Sequence, residues 1–204
     1  MSNFVIVGGG GFGRETAWMI QELGGRVTGF FDDYLPEGAQ VDQVPVMGSV
    51  ARLNEQKEWL NVVVAIADPQ ARQKVVARLH NPLLRFPNVV HPTARLGFNN
   101  QMGRGCIVTA GVICTTHVSL GDFVIVNLGT TIGHDTTIGS YSSLMPQATI
   151  AGNVRVEMGV FVGSHACVLQ QRRLGAQCTV GAGAVVTRDV AEGTIVKGVP
   201  ARAI

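Results

Sequence analysis

A histidine and an acid stand side by side in residues 131–136 (TIGHDT), and Gly152 follows eighteen residues after the histidine. The imidazole of His134 can act as a general base towards an amine or a hydroxyl, and the Asp135 carboxylate would orient the ring and stabilise its charged form. The N–H of Gly152, which no side chain shields, would donate a hydrogen bond to a developing oxyanion. Together these three residues would supply the minimum that acyl transfer needs, a general base and a donor to the oxyanion. The alternative is a solvated corner histidine without a catalytic role.

A glycine-rich turn at residues 8–13 (GGGGFG) is the second chemically informative segment. Gly8, Gly10 and Gly13 fit the dinucleotide-binding pattern, in which the turn and the start of the next helix hold phosphate groups. Asp32 lies nineteen residues after Gly13, where its carboxylate would accept a hydrogen bond from a ribose or a base. The alternative is a tight strand-to-helix turn that binds nothing.

The element that must position His134 and Gly152 is a repeat of six residues. A soft apolar residue recurs at every sixth position, sixteen times in succession: Leu96, Met102, Val108, Cys114, Leu120, Val126, Ile132, Ile138, Leu144, Ile150, Val156, Val162, Val168, Leu174, Val180 and Val186. This period predicts a left-handed parallel β-helix of hexapeptide repeats, with about five triangular coils stacked roughly 4.8 Å apart. Residues eighteen positions apart would therefore lie at the same corner, one coil apart.

The first ninety residues follow a different pattern. A strand, a glycine turn, a helix and a second strand in this order predict an α/β, Rossmann-like βαβ unit with a parallel sheet. We expect strands at residues 4–7, 27–31 and 61–67, and helices at residues 14–23 and 69–79.

The boundary between the two patterns is expected near residues 86–88. Residues 1–87 would then form a Rossmann-like domain that binds a sugar nucleotide, and residues 88–204 a β-helical acyltransferase domain. About ninety residues amount to half of the two-part dinucleotide fold, so a nucleoside diphosphate fits better than NAD.

The composition indicates a soluble globular protein of 204 residues, 46% hydrophobic and 15% charged, with a formal charge of +2. We expect neither a nucleic-acid partner nor membrane insertion, because the charge is small and no apolar run reaches the roughly 18 residues of a membrane span. The start of the chain reads as a strand rather than a signal peptide, which favours the cytoplasm. The four cysteines fall on or near inward positions, which predicts reduced packing residues and no metal.

The whole chain resembles the sialic acid O-acetyltransferase (NeuD) family, and most of all its branch of nucleotide-amino-sugar N-acetyltransferases of the bacillosamine-pathway type. The resemblance covers nearly all of the chain. It rests on residues 8–13, 31–33, 90–92, 133–135, 151–153 and 198–201.

The resemblance implies roles for the chemically informative residues. His134 would be the general base, Asp135 its partner, and Gly152 the amide donor to the thioester carbonyl. The substrate's diphosphate would lie against the turn of Gly8, Gly10, Gly11, Phe12 and Gly13. Its uracil or thymine ribosyl end would meet Asp32 and Asp33.

Asp135 departs conservatively from the family pattern, in which the acid is commonly glutamate, and two further departures matter more. Ser143 stands where some members carry a second histidine nine residues after the base, and it can donate a hydrogen bond but cannot serve as the base. Phe12 stands where the bacillosamine enzyme has a histidine close to the sugar. These departures put the same sugar in doubt, though not acetyl transfer.

The resemblance also implies acetyl-CoA as co-substrate, lying in the groove between adjacent prisms of a homotrimer, with active sites between subunits. Gly163, Gly181, Ala182 and Gly183 would form a narrow wall beside the pantetheine arm, and Ser143 and Gly152 would also contact the coenzyme. Hexapeptide repeats use glycine throughout, so these residues alternatively do no more than make tight corners.

Three other functions remain open at this stage. A γ-type carbonic anhydrase shares the fold and binds a metal through three histidines, but His165 falls on a different face of the register from His117 and His134. A noncatalytic sugar-nucleotide sensor would bind nucleotide without consuming acetyl-CoA. An O-acetyltransferase of sialic acid or another sugar hydroxyl would use the same chemistry.

The function that combines these observations is an acetyl-CoA-dependent N-acetyltransferase. We expect it to act on a UDP- or dTDP-linked amino-deoxy sugar during the synthesis of a surface glycan.

Overall fold

The computed structural model describes residues 2–204, which divide into two compact units. The N-terminal unit extends to residue 67 and includes residues 71–89, and the β-helix unit comprises residues 68–70 and 90–204. The predicted domain boundary after residue 87 lies two residues before the end of the N-terminal unit.

The N-terminal unit is built on a six-stranded sheet in the order β3-β4-β2-β1-β5-β6. The elements are β1 Asn3–Val7, α1 Gly11–Glu22, β2 Arg26–Phe31, β3 Gln40–Val41, β4 Val44–Gly48, a 3₁₀-helix Val50–Glu55, β5 Leu60–Val64, α2 Pro69–Ala77 and β6 Leu84–Arg85. The central strand β1 pairs in parallel with both β2 and β5, and its Val5, Ile6 and Val7 are buried. This arrangement confirms the Rossmann-like α/β unit.

Two elements have an end that lies three residues from the predicted bound. Helix α1 begins at Gly11 rather than at residue 14, so part of the glycine turn forms its first turn. Strand β5 ends at Val64 rather than at residue 67. Beyond it, the carbonyl groups of Ile66 and Ala67 accept hydrogen bonds from the Arg72 guanidinium instead of from a neighbouring strand.

The β-helix unit has three faces made of very short strands stacked in parallel. Face 1 contains β7 Val89–Val90, β10 Ile107–Val108, β13 Ile125–Val126, β16 Ser143–Leu144, β19 Phe161–Val162, β22 Thr179–Val180, β24 Ile195–Lys197 and the antiparallel β25 Arg202–Ala203. Face 2 contains β8 Arg95–Leu96, β11 Ile113–Cys114, β14 Thr131–Ile132, β17 Thr149–Ile150, β20 Cys167–Val168 and β23 Val185–Val186. Face 3 contains β9 Gln101–Met102, β12 Ser119–Leu120, β15 Thr137–Ile138, β18 Arg155–Val156 and β21 Arg173–Leu174.

The eighteen-residue coil is confirmed by the strand register. Ile132 pairs with Cys114 in the preceding coil and with Ile150 in the next. The predicted inward residues form one apolar core, with two exceptions at its start: Leu96 is 40% exposed and Met102 is only partly buried. These two residues belong to the first full coil, and an end coil has a stacking neighbour on one side only.

The corners between faces depend on residues with left-handed backbone conformation. At the corner between faces 2 and 3, this residue is His117 (φ 57°), then Asp135 (φ 57°), then Asn153 (φ 56°). Side chains at these corners point outward, where they are available for chemistry. Within residues 2–204 we find no helix with the length and apolar character needed to cross a bilayer.

Candidate active site

His134 and Asp135 lie at the corner that joins β14 to β15. Nδ1 of His134 is 2.7 Å from Oδ2 of Asp135, and the two side chains are 59% and 52% exposed. An ionised carboxylate can only accept, so Nδ1 carries the hydrogen. The neutral ring then presents the lone pair of Nε2 to an incoming group, as a general base requires.

Gly152 occupies the equivalent position of the same corner, one coil further along. The imidazole lies directly over it: a Cβ built on Gly152 would be 2.6 Å from Nε2, 2.8 Å from Cε1 and 3.0 Å from Cδ2 of His134. The backbone of Asn153 donates to the His134 carbonyl (2.8 Å), and the Gly152 carbonyl accepts from Gln171 N–H (3.1 Å). Among residues 2–204, no acceptor takes a hydrogen bond from the Gly152 N–H.

Thr136 fixes the two corners to each other. Its side chain is fully buried, donates to the Ala151 carbonyl (3.0 Å) and accepts from Val154 N–H (3.2 Å). Because these two bonds flank the turn of Gly152 on both sides, the glycine backbone is held at a set position relative to His134. A base and an unshielded N–H thus lie within one coil spacing, which is the arrangement that acyl transfer uses.

The remaining corner histidines do not join His134. His117 lies one coil before it and its Nε2 contacts the Asn99 side chain, whereas His165 lies at the corner between faces 1 and 2. Within the described part of the chain, no three His, Cys, Asp or Glu side chains form a group able to hold a metal ion.

The other residues predicted to contact the coenzyme lie elsewhere on the prism. Ser143 is in β16 on face 1, which is opposite the corner of His134. Gly163, Gly181, Ala182 and Gly183 stack at the corner between faces 1 and 2, where Gly163 packs tightly against the backbone of Ala182. Within one chain the structure therefore does not bring this second set together with His134 and Gly152.

The glycine turn lies at the carboxyl end of β1. Gly8 has φ 101°, and its N–H donates to the Phe31 carbonyl. A Cβ on Gly13 would overlap the Gly8 carbonyl oxygen, so the close packing of the turn on α1 requires glycine there. Gly10 and Gly11 face open space, and no side chain among residues 2–204 caps the first N–H groups of α1. Phe12 is partly exposed beside them. The turn can therefore accept a phosphate group.

Asp32 ties this turn to the loop after β2. Its Oδ2 accepts from Gly9 N–H (2.8 Å), and its Oδ1 accepts from the N–H groups of Tyr34 (2.8 Å) and Leu35 (3.2 Å). The carboxylate that the sequence assigns to the substrate is thus also the acceptor that holds two loops together.

Asp33 is bound to a residue that the sequence analysis missed. The Arg78 guanidinium lies 2.7 Å from Oδ2, and Val50 N–H donates to Oδ1. The hydrogen bond from Arg78 is the largest influence on Asp33 and lowers its pKa, although partial burial acts in the opposite direction. Arg78 is 45 residues away along the chain, and no local pattern indicates the pairing.

Comparisons with known proteins identify the family of this chain. The family described as PglD N-terminal domain matches residues 3–79. A GDP-perosamine N-acetyltransferase of Escherichia coli O157:H7 is 31% identical over 177 residues, which cover 83% of this chain and 79% of that protein.

Two solved structures match over nearly their whole length. PerB from Caulobacter crescentus, in complex with CoA and GDP-perosamine, has 32% identity and a TM-score of 0.91, covering 100% of this chain and 98% of that one. The acetyltransferase domain of PglB from Neisseria gonorrhoeae, in complex with acetyl coenzyme A, has 28% identity and a TM-score of 0.89, covering 99% and 98%. Together with the identity to the E. coli protein, these matches show that the chain belongs to the hexapeptide-repeat family of nucleotide-amino-sugar N-acetyltransferases.

Proposed function

We propose that this protein transfers the acetyl group of acetyl-CoA to the amino group of a nucleotide-linked amino-deoxy sugar, in the cytoplasm and for a surface glycan. The observation that supports the proposal most directly is the His134 imidazole, which is hydrogen-bonded to Asp135 and lies over the Cα of Gly152. The family membership supports the same reaction. Within that family, we place the chain in the amino-sugar branch of the sialic acid O-acetyltransferase (NeuD) group.

In this reaction, the sugar amine attacks the thioester carbonyl carbon and its proton passes to Nε2 of His134. Asp135 stabilises the imidazolium that forms, because its carboxylate already accepts from Nδ1. The Gly152 N–H donates to the oxyanion of the tetrahedral intermediate. When the intermediate collapses, the C–S bond breaks and the CoA thiolate takes the proton from the imidazolium. No covalent enzyme intermediate is needed.

The glycine turn is the proposed site for the diphosphate of the substrate. The uncapped N–H groups at the start of α1 and the open faces of Gly10 and Gly11 support this assignment. Phe12, Asp32 and Asp33 border the same site. The uracil or thymine base stays a prediction. Guanine should be tested beside them, because one similar protein is named a GDP-perosamine N-acetyltransferase and another is in complex with GDP-perosamine.

A homotrimer is proposed because one chain does not complete the site. Ser143 and the wall formed by Gly163 and residues 181–183 lie away from the His134 corner, so a neighbouring copy must supply them to the same coenzyme molecule. The outward row of face 2 suits such an interface. Arg95 is its only charged residue, and the others are Ile113, Thr131, Thr149, Cys167 and Val185. Depletion of charge is typical of interface cores.

Thiol release from acetyl-CoA tests the proposal directly. The panel pairs GDP-, UDP- and dTDP-linked 4-amino-4,6-dideoxyhexoses with the matching sugars that carry a 4-hydroxyl group. We expect release with an amino sugar on one base, and little release with its hydroxyl counterpart. Release with the hydroxyl sugars alone would indicate an O-acetyltransferase, and nucleotide binding without any release would indicate a sensor. Either result would contradict the proposal.

A further inference from the structure

Gly152 lies at a position of the repeat where the backbone conformation does not require glycine. The position is the second after each inward residue, and Gly152 does not have a positive φ. The other fifteen equivalent positions carry small, polar, charged, aliphatic and aromatic side chains. They are Phe98, Arg104, Ala110, Thr116, Asp122, Leu128, His134, Ser140, Pro146, Met158, Ser164, Gln170, Ala176, Ala182 and Arg188. The repeat therefore accepts a side chain here.

The three atoms nearest to a Cβ at Gly152 all belong to the catalytic ring. A Cβ would come within 3.0 Å of three ring atoms of His134, and no backbone atom is as close. The two hydrogen bonds of Thr136 hold the turn of residues 151–154 in place, so this turn cannot move away. The ring is the end of a side chain and is 59% exposed in the single chain, so it would yield more readily than the turn.

We propose that Gly152 is a positioning residue: its missing side chain provides the surface on which the His134 imidazole lies while Nδ1 donates to Asp135. This role is additional to the amide donor role and rests on the proposed function of His134. The two roles of Gly152 are separable, because alanine keeps the backbone N–H and adds only the Cβ.

Gly152→Ala is therefore the test variant. The fold should persist, since Ala110, Ala176 and Ala182 occupy equivalent positions. We expect the ring to leave Asp135 and kcat to fall about 10²-fold, the lower end of what a general base contributes. Thermal unfolding and acetyl-CoA binding should stay near wild type. Gln170→Ala, at the same corner one coil further along, is the matched control and should leave kcat unchanged.

A double-mutant cycle identifies the route of the effect. If the added Cβ acts through the ring, Gly152→Ala should lower the residual rate no further in a His134→Ala background. An equal loss in both backgrounds would assign the effect to the amide donor or to the fold. Wild-type kcat in Gly152→Ala, together with the wild-type tautomer of His134, would also overturn the proposal.

The ring nitrogens provide a readout that does not depend on catalysis. At a pH where the ring is neutral, ¹⁵N NMR of His134 should show hydrogen on Nδ1 in the wild type, and a shift towards Nε2–H in Gly152→Ala. An unchanged tautomer would refute the positioning role even if activity fell. A changed tautomer with full activity would instead uphold the geometry and remove His134 from the mechanism.

Discussion

Nδ1 of His134 donates to Oδ2 of Asp135 across 2.7 Å, although the two residues are neighbours in the sequence. Adjacent side chains in an extended strand point to opposite faces. Here the left-handed conformation of Asp135, with φ 57°, turns its carboxylate back towards the preceding ring. The corner of the β-helix thus builds the pair from consecutive residues.

Removing the ring should abolish most of the activity. We expect His134→Ala to lower kcat by about 10² to 10⁴, because the amine then loses its general base. The KM for acetyl-CoA should change little. His117→Ala removes another exposed corner histidine one coil away and should have no effect. Wild-type turnover in His134→Ala would remove this residue from the mechanism.

Removing the Asp32 carboxylate should loosen the glycine turn. Asp32→Ala leaves the N–H groups of Gly9, Tyr34 and Leu35 without their acceptor. We expect the KM for the sugar nucleotide to rise about tenfold, the effect of roughly 1.4 kcal/mol, with the KM for acetyl-CoA unchanged. Glu15→Gln removes a nearby exposed charge without any such bonds and serves as the control. An unaltered KM in Asp32→Ala would show that substrate binding does not need the three hydrogen bonds to Asp32.

The ion pair of Asp33 and Arg78 should make stability depend on pH. The pKa of Asp33 is lowered in the folded protein, chiefly by the hydrogen bond from Arg78. Ionised Asp33 therefore stabilises the fold above its unfolded pKa of about 3.9, and this contribution is lost as the pH falls through the lower folded-state pKa.

The measurement is the Tm of the wild type and of Asp33→Asn across this pH range. The difference in Tm between the wild type and Asp33→Asn should be constant above about pH 5, and it should shrink towards zero as the pH falls below about 4. Glu58→Gln, which removes an exposed carboxylate of the same unit, should show no such gap. A gap that persisted at all pH values would trace the effect to packing rather than charge.

The four free cysteines should differ sharply in reactivity. Cys106, Cys114 and Cys178 are buried, and Cys167 is partly exposed. Burial raises the pKa of the Cys178 thiol to about 12 and that of Cys114 to about 11, which leaves almost no reactive thiolate at neutral pH.

Titration with a disulfide reagent checks this order. In separated subunits we expect Cys167 to react first and the three buried thiols to stay unmodified, whereas in the homotrimer Cys167 lies at the proposed interface and should also be protected. Cys167→Ser should remove the reaction of the separated subunits, and denaturation should expose every thiol. Native modification of Cys178 would mean that the core of the β-helix opens readily.

Much of the fold follows from local sequence patterns. The recurrence of apolar residues at every sixth position predicts the coil. Strand β14 pairs with β17 so that Ile132 lies opposite Ile150, as that period requires. The βαβ unit follows from its strand, turn and helix signals. Gly11 and Gly13 favour a loop, so the sequence predicts the start of α1 three residues too late, yet both lie within its first turn.

The candidate site was only partly predictable. The coil length places His134 and Gly152 one above the other, since both follow from counting residues. The pairing of Asp33 with Arg78 joins residues 45 positions apart, and a pattern of apolar residues carries no information about such a contact. Ser143 and Gly163 were grouped with His134 by resemblance, but in one chain they lie on another face and another corner.

The period, the inward residues and the corner at which His134 and Gly152 stack all follow from the sequence, because each coil contacts only its neighbours and the register repeats. The position of the ring on the bare Cα of Gly152, and the binding of three backbone N–H groups by Asp32, follow only from the three-dimensional structure. These contacts depend on side-chain rotamers and on loops that meet in space. No repeat length specifies either of them.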